Sequence, residues 1–217
     1  MLILLPPSEG KSTPESGKKL QLDSLFGASY LSGIRKQVLD TNPDIDTSTC
    51  RPAHEIYSGV LYQALDWESL SSTAKKRGSD SILIISALMG AVRIEDAIPT
   101  YKLKIATSLW KEQLSSLLDS LNSNLIVDCR SSTYAGVWTP PPQSTFAVRV
   151  FQIKNGKKSV ITHMSKKYRG ELTRLLLTKK APRTAEELHA VAREKFRCDL
   201  IPATGKNPAY LDLLVEN

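Results

Sequence analysis

The sequence predicts an α/β fold: a mixed central β-sheet with flanking helices and one antiparallel hairpin, forming a single domain over residues 1–217. Three observations carry this. Short, nearly wholly apolar runs at Leu2–Leu5, Ser81–Ser86 and Leu125–Cys129 have the composition of strands covered on both faces. Segments with apolar residues at helical spacing stand between such runs, so strand and helix alternate along the chain. Near the middle, Lys154-Asn155-Gly156-Lys157 separates the runs Phe146–Ile153 and Ser159–Met164. Asn-Gly is a strong hairpin signal because both central residues tolerate positive φ.

Taken in order, Leu2–Leu5 is a first strand ended by Pro6-Pro7, and a polar loop fills residues 6–19. Tyr30–Asp40 reads as a helix. In His54–Leu65 the residues Tyr57, Leu61 and Leu65 lie four apart, which favours a helix, and Glu68–Arg77 reads as another, stopped by Gly78. Trp110–Asn122 carries Leu114, Leu117, Leu118 and Leu121 on one helical face. Ser165–Lys180 is helical, and Thr184 with Glu187 forms a capping box that opens a further helix through Lys195. Asp199–Ile201 and Leu211–Val215 read as closing strands.

The composition narrows the classes of function. With 41% hydrophobic and 24% charged residues, the chain is that of an ordinary globular protein. No apolar stretch reaches membrane-spanning length, and Met1–Leu5 lacks the basic start and cleavage site of a signal peptide. Three cysteines (Cys50, Cys129, Cys198) are odd in number and widely spaced, which points to a reducing cytoplasm. His54, His163 and His189 are equally scattered, so no metal site is assigned and no cofactor is implied. A net charge of +7 attracts polyanions without identifying them.

Four segments carry polar chemistry. Pro6-Pro-Ser-Glu-Gly-Lys-Ser12 resembles a P-loop only superficially: Leu5 stands where the first glycine belongs, and the two prolines lack donor N–H groups. Ser8, Glu9 and Lys11 nonetheless sit at the carboxyl end of a strand, where ligands of open α/β sheets bind. Arg93 and Asp96 are either a simple salt bridge or, with Lys102, a phosphate site. Arg130, Ser131 and Tyr134 leave the end of the Leu125–Cys129 strand. In Ser165–Leu177, Tyr168, Leu172, Leu175 and Leu176 form a core face, while Lys166, Lys167, Arg169 and Arg174 present four cations beside Gly170. That cluster is either a solvated basic face or a contact for a phosphodiester backbone. A glycine costing about 1 kcal/mol in a helix interior implies close approach of another backbone or a ligand.

In their order along the chain, Leu4-Leu-Pro-Pro-Ser-Glu-Gly-Lys11, Tyr57-Ser-Gly-Val60, Ser86-Ala-Leu-Met-Gly-Ala-Val-Arg93 with Asp96, Pro99-Thr-Tyr-Lys-Leu103, Ser131 with Tyr134, and Ser165-Lys-Lys-Tyr-Arg-Gly170 resemble the YaaA peroxide-stress family. The resemblance implies a cytosolic protein that keeps free intracellular iron low during hydrogen peroxide stress. It also implies a compact α/β fold whose positive cleft binds DNA. Carried over by position, that cleft involves Lys11, Arg93, Lys102, Lys166, Lys167 and Arg169. Met89 replaces a common aromatic residue, Ser132-Thr133 replaces a more polar pair, and Leu31-Ser-Gly-Ile34 is only a fragment of a helix-hairpin-helix.

Two functions follow. The favoured one is DNA binding, or binding of another phosphate-bearing polyanion, without strong sequence preference, through Lys11, Arg93, Lys102, Arg130, Lys166, Lys167, Arg169 and Arg174. Ser8, Glu9, Tyr57, Asp96, Ser131 and Tyr134 would line the associated pocket. The alternative is an enzyme acting on a nucleobase, nucleoside or nucleotide through glycosidic-bond chemistry, with Glu9 the first candidate acid or nucleophile. Direct iron sequestration is weaker, because the ligand residues are sparse. No oligomeric state is implied.

Overall fold

The computed structural model describes residues 1–154, 157–161 and 164–216, with residue 216 described by its backbone only. Its strands are Leu2–Leu5 (β1), Arg51–Pro52 (β2), Ile82–Ser86 (β3), Gly90–Arg93 (β4), Ala97–Ile98 (β5), Ile126–Asp128 (β6), Thr145–Lys154 (β7), Lys157–Val160 (β8), Arg197–Ile201 (β9) and Ala209–Glu216 (β10). The helices are Ala28–Asp40 (α1), Ala53–Ile56 (α2), Val60–Leu65 (α3), Ser72–Ser81 (α4), Thr107–Asp119 (α5), Ser132–Ala135 (α6), Ser165–Thr178 (α7) and Ala185–Arg193 (α8).

The central sheet has the order β4-β3-β1-β6-β7-β10-β9. From β3 to β10 neighbouring strands are parallel, while β4 and β9 close the edges antiparallel. β1, β3 and most of β6 are buried, as their unbroken apolar sequences require. The β7–β8 hairpin forms, with Phe151 opposite Val160 and Lys154 opposite Lys157. Asn155 and Gly156 of its turn, like His163, lie outside the described residues. β2 and β5 make a separate two-stranded sheet. The helices pack in two groups, α1 on α5, and α3, α4 and α8 on α7. Among the described residues no helix is long and apolar enough to cross a membrane.

Two element boundaries differ from the periodicity. Tyr57 is not helical: it bridges Lys11 across the chain, and this extended step separates α2 from α3. Gly78 does not end a helix but lies inside α4, where an added Cβ would stand 2.7 Å from Cη2 of Trp67. Packing, rather than termination, selects that glycine. Gly170 behaves as its cost implies. A Cβ there would lie 3.0 Å from the Leu61 carbonyl carbon, so α3 and α7 meet backbone to backbone. Thr184 caps α8 by accepting from the Glu187 N–H at 3.2 Å, and the Glu187 carboxylate returns to the Arg183 N–H at 2.7 Å.

Candidate functional site at the carboxyl edge

The strand order locates the site. From β1 the chain proceeds to β3 on one side, and β6 later adds on the other. The loops leaving β1 and β6 therefore diverge, opening the crevice at which parallel α/β sheets bind ligands. Ser8, Glu9 and Lys11 lie on the first loop; Arg130, Ser131 and Tyr134 follow β6. The first turn of α7 reaches the same edge. Lys166 Nζ stands 3.9 Å from the Glu9 carboxylate, and the Arg169 guanidinium donates to the carbonyls of Arg130 and Val148, each at 3.2 Å.

Beneath the β1 loop runs a chain of buried hydroxyls. Met89 N–H donates to Ser86 Oγ at 3.1 Å; Ser86 Oγ and Tyr101 OH are 2.8 Å apart, and Tyr101 OH and Tyr57 OH are 2.9 Å apart. Tyr62 OH donates to the Pro6 carbonyl at 2.8 Å, and Ser8 Oγ accepts from Gly59 N–H at 2.8 Å, which fixes the loop. Burial pushes the Tyr101 phenol up to about 12 and those of Tyr57 and Tyr62 well above the ordinary value, so all three stay protonated. Half-buried Tyr134 is raised by burial and then by the charge of Glu9.

Lys11 closes over this chain. Its Nζ donates to the Ser8 carbonyl at 2.6 Å and lies 4.3 Å from the Tyr101 ring centroid. Burial lowers its pKa, with Glu9 opposing. Beside it, Glu9, Lys11, Thr100, Tyr101 and Lys102 line an open groove of about 580 Å³ together with residues 41–45.

The structure does not bring every expected cation to this edge as a free contact. Arg93 pairs with Leu83, and its guanidinium donates to the carbonyls of Asp80 and Ile82, at the start of β3 and the opposite edge of the sheet. Asp96 lies with it, accepting from the Arg93 and Phe26 N–H groups at 2.9 and 3.0 Å. Burial raises its pKa, and these hydrogen bonds pull the other way. Arg130 is at the edge but its side chain is only 1% exposed. It grips Asp128 with two hydrogen bonds of 2.9 and 2.7 Å and donates to Tyr134 and Trp138 carbonyls, bracing its own loop. Arg174 caps the end of α3, donating to the Leu65 and Asp66 carbonyls at 2.9 and 2.7 Å. The cations left at the edge with exposed or half-exposed heads are Lys11, Lys102, Lys166 and Lys167, with Arg169 partly engaged.

Tyr101, Ser86 and Tyr62 are the central residues that single-residue reasoning did not select. Their hydroxyls meet partners 15 to 56 positions away; Ser86 and Tyr101 fall within the segments that carry the family resemblance, whereas Tyr62 lies outside them.

This is an α/β protein with a chain of buried hydroxyls beneath the loop that leaves β1. A family model described as "Peroxide stress protein YaaA" matches residues 18–200; the chain belongs to that family. The match begins near the end of the β1 loop. A UPF0246 protein of Streptomyces coelicolor is 34% identical, covering 99% of this chain and 98% of its own. One from Corynebacterium glutamicum is 33% identical over 89% of this chain and 92% of its own. An uncharacterized protein of Campylobacter jejuni is 32% identical over 70% of this chain and 61% of its own.

Proposed function

We propose that this peroxide-stress protein binds DNA at the carboxyl edge of its sheet, without strong sequence preference, and helps keep free intracellular iron low. One observation supports the reading: Lys11 and Lys102 line the groove beside the β1 loop, and Lys166, on the first turn of α7 with Lys167 next to it, comes within 3.9 Å of Glu9 on that loop. Lysine heads at such an edge meet phosphates, and phosphate contacts carry no sequence information. Among the described residues no group of three or more His, Cys, Asp or Glu side chains is placed to hold a metal. The iron effect is therefore assigned to no ligand set among the described residues. Binding of a labelled duplex is measured by anisotropy across a salt series, for wild type and for Lys102, Lys166 and Lys167 changed together to Glu. Each phosphate contact removed lowers the log–log salt slope by about 0.9. A wild type that binds no DNA, or a triple variant that binds as wild type does, overturns the proposal. Free iron in peroxide-treated cells carrying the same variant tests the second half: it rises if DNA contact is the route.

A second reading, glycosidic-bond chemistry on a nucleobase, nucleoside or nucleotide, is favoured by the Ser86–Tyr101–Tyr57 hydroxyl chain under the crevice. Glu9 is a poor centre for it, since its side chain is 95% exposed and lacks the enclosure that tunes catalytic carboxyls. Turnover of a nucleoside and damaged-DNA panel that disappears in Tyr101→Phe but survives Glu9→Gln would support this chemistry and place it on the hydroxyls.

A further inference from the structure

The basic surface does not stop at the first turn of α7. Glu171, one turn further along, forms ion pairs with Lys167 at 3.8 Å and with Lys195 at 3.1 Å, so one carboxylate ties the exposed face of α7 to the end of α8. An edge-on contact between Tyr168 and Phe196, with centroids 6.4 Å apart, packs the two elements there. Beyond Lys195 lies a depression of about 600 Å³, lined by His189, Arg193, Glu194, Lys195, Phe196, Arg197 and Cys198. Its position follows from the topology. β9 runs antiparallel to β10 and begins at Arg197, opposite Leu214 near the carboxyl end of β10, and β10 is parallel to β7. The depression therefore opens on the same side of the sheet as the crevice.

Its charges are unequal. Glu194 is taken by Lys179 in an ion pair, and Glu171 is shared by two lysines. Arg193 is exposed and, among the described residues, is held by no carboxylate. The wall is shaped as well as charged: His189 Nε2 donates to the Cys198 carbonyl at 3.1 Å, fixing the ring against β9. A basic face that merely kept the protein soluble would have no reason to follow one line from the crevice to a concavity.

We propose that this depression is a second phosphodiester-binding site, in which Arg193 and Lys195 hold the backbone of a nucleic acid that has crossed from the crevice over Lys166 and Lys167. The inference rests on the DNA-binding reading above and extends its footprint along α7 to the end of α8. Arginine supplies the planar donor fork suited to phosphate, and Lys195 needs only to turn from Glu171.

The test uses the full chain and a duplex of about 20 base pairs, long enough at roughly 3.4 Å per step to cover both sites. Arg193→Glu with Lys195→Glu, and separately Arg193→Gln with Lys195→Gln, are compared with wild type by anisotropy across a salt series. Thermal melts confirm folding, and the Gln pair keeps the test open if charge reversal against Glu171 unfolds the protein. The expected result is a roughly tenfold loss of affinity at low salt for the Gln pair and a salt slope lower by about 0.9 per cation. If wild type binds, the Lys102/Lys166/Lys167 variant fails to, and both Arg193/Lys195 variants bind with the wild-type slope, the depression is no phosphate site while the crevice reading stands. If wild type itself does not bind, both ideas fall together.

Discussion

Substituting Gly170 by alanine sets two known effects against each other. In an isolated helix the change is favourable by about 1 kcal/mol. In this protein the new methyl would stand 2.9 Å from the Ala64 Cβ and 3.0 Å from the Leu61 carbonyl carbon, with the carbonyl oxygen nearer still. Ordinary carbon contacts begin near 3.5 Å, so α3 and α7 must part by about 0.6 Å or more. The obstructing atoms are main chain and a methyl, which have no rotamer to escape into. Overpacking of this kind costs about 1–3 kcal/mol, and the expected net result is destabilisation of up to about 2 kcal/mol. For a chain of this size that lowers Tm by up to roughly 8 °C, read by circular dichroism. Gly33 supplies the control: it is also within a helix, but nothing lies within 4 Å of its added Cβ. Gly33→Ala should raise Tm. If Gly170→Ala matches it in sign, the two helices have room to spare and the close-approach argument is wrong.

Three further outcomes are expected. Arg35 is fully buried and donates to the carbonyls of Met89, Phe26 and Ala91 at 3.0, 2.7 and 2.8 Å; Arg35→Met removes the guanidinium donor from all three and should cost about 3–5 kcal/mol in urea unfolding. Burial holds Cys50 and Cys129 at about 11 and about 12 and also raises Cys198, so at pH 7.5 the folded protein should resist iodoacetamide, whereas in urea all three thiols react. Asp212 is pushed up by burial but carried below the ordinary range by hydrogen bonds from Arg149 and Lys158. Its contribution is therefore present above the unfolded pKa of about 3.9 and lost as pH falls through the lower folded value. Asp212→Asn should flatten stability against pH in that acid window, and an unchanged profile would refute the assignment.

The sheet was readable because its buried strands are written as apolar β-branched runs, and the hairpin because Asn-Gly has few other uses. The arginines were not. Arg174 falls in a run of cations that looks like surface, yet its partners are the carbonyls of Leu65 and Asp66, over a hundred positions earlier. Arg130 looks like a strand-end contact and is instead consumed by Asp128, two residues away, in a pair that either a ligand site or a loop brace would use. Guanidinium groups satisfy helix ends as well as phosphates, and residue type alone does not distinguish the two. Tyr57 was read as helical from its spacing with Leu61 and Leu65, but spacing by fours also arises when an extended step separates two short helices.

Because β10 lies between β7 and β9, the segment that emerges last from the ribosome among these strands becomes an interior member of the sheet. Until residues 209–216 arrive, β7 has an open flank and β9 no partner at all. Nascent chains must therefore wait, with two unpaired edges available to neighbours, before the domain can zip shut. Synthesis stalled just short of Ala209 is the moment at which this protein would most need a chaperone.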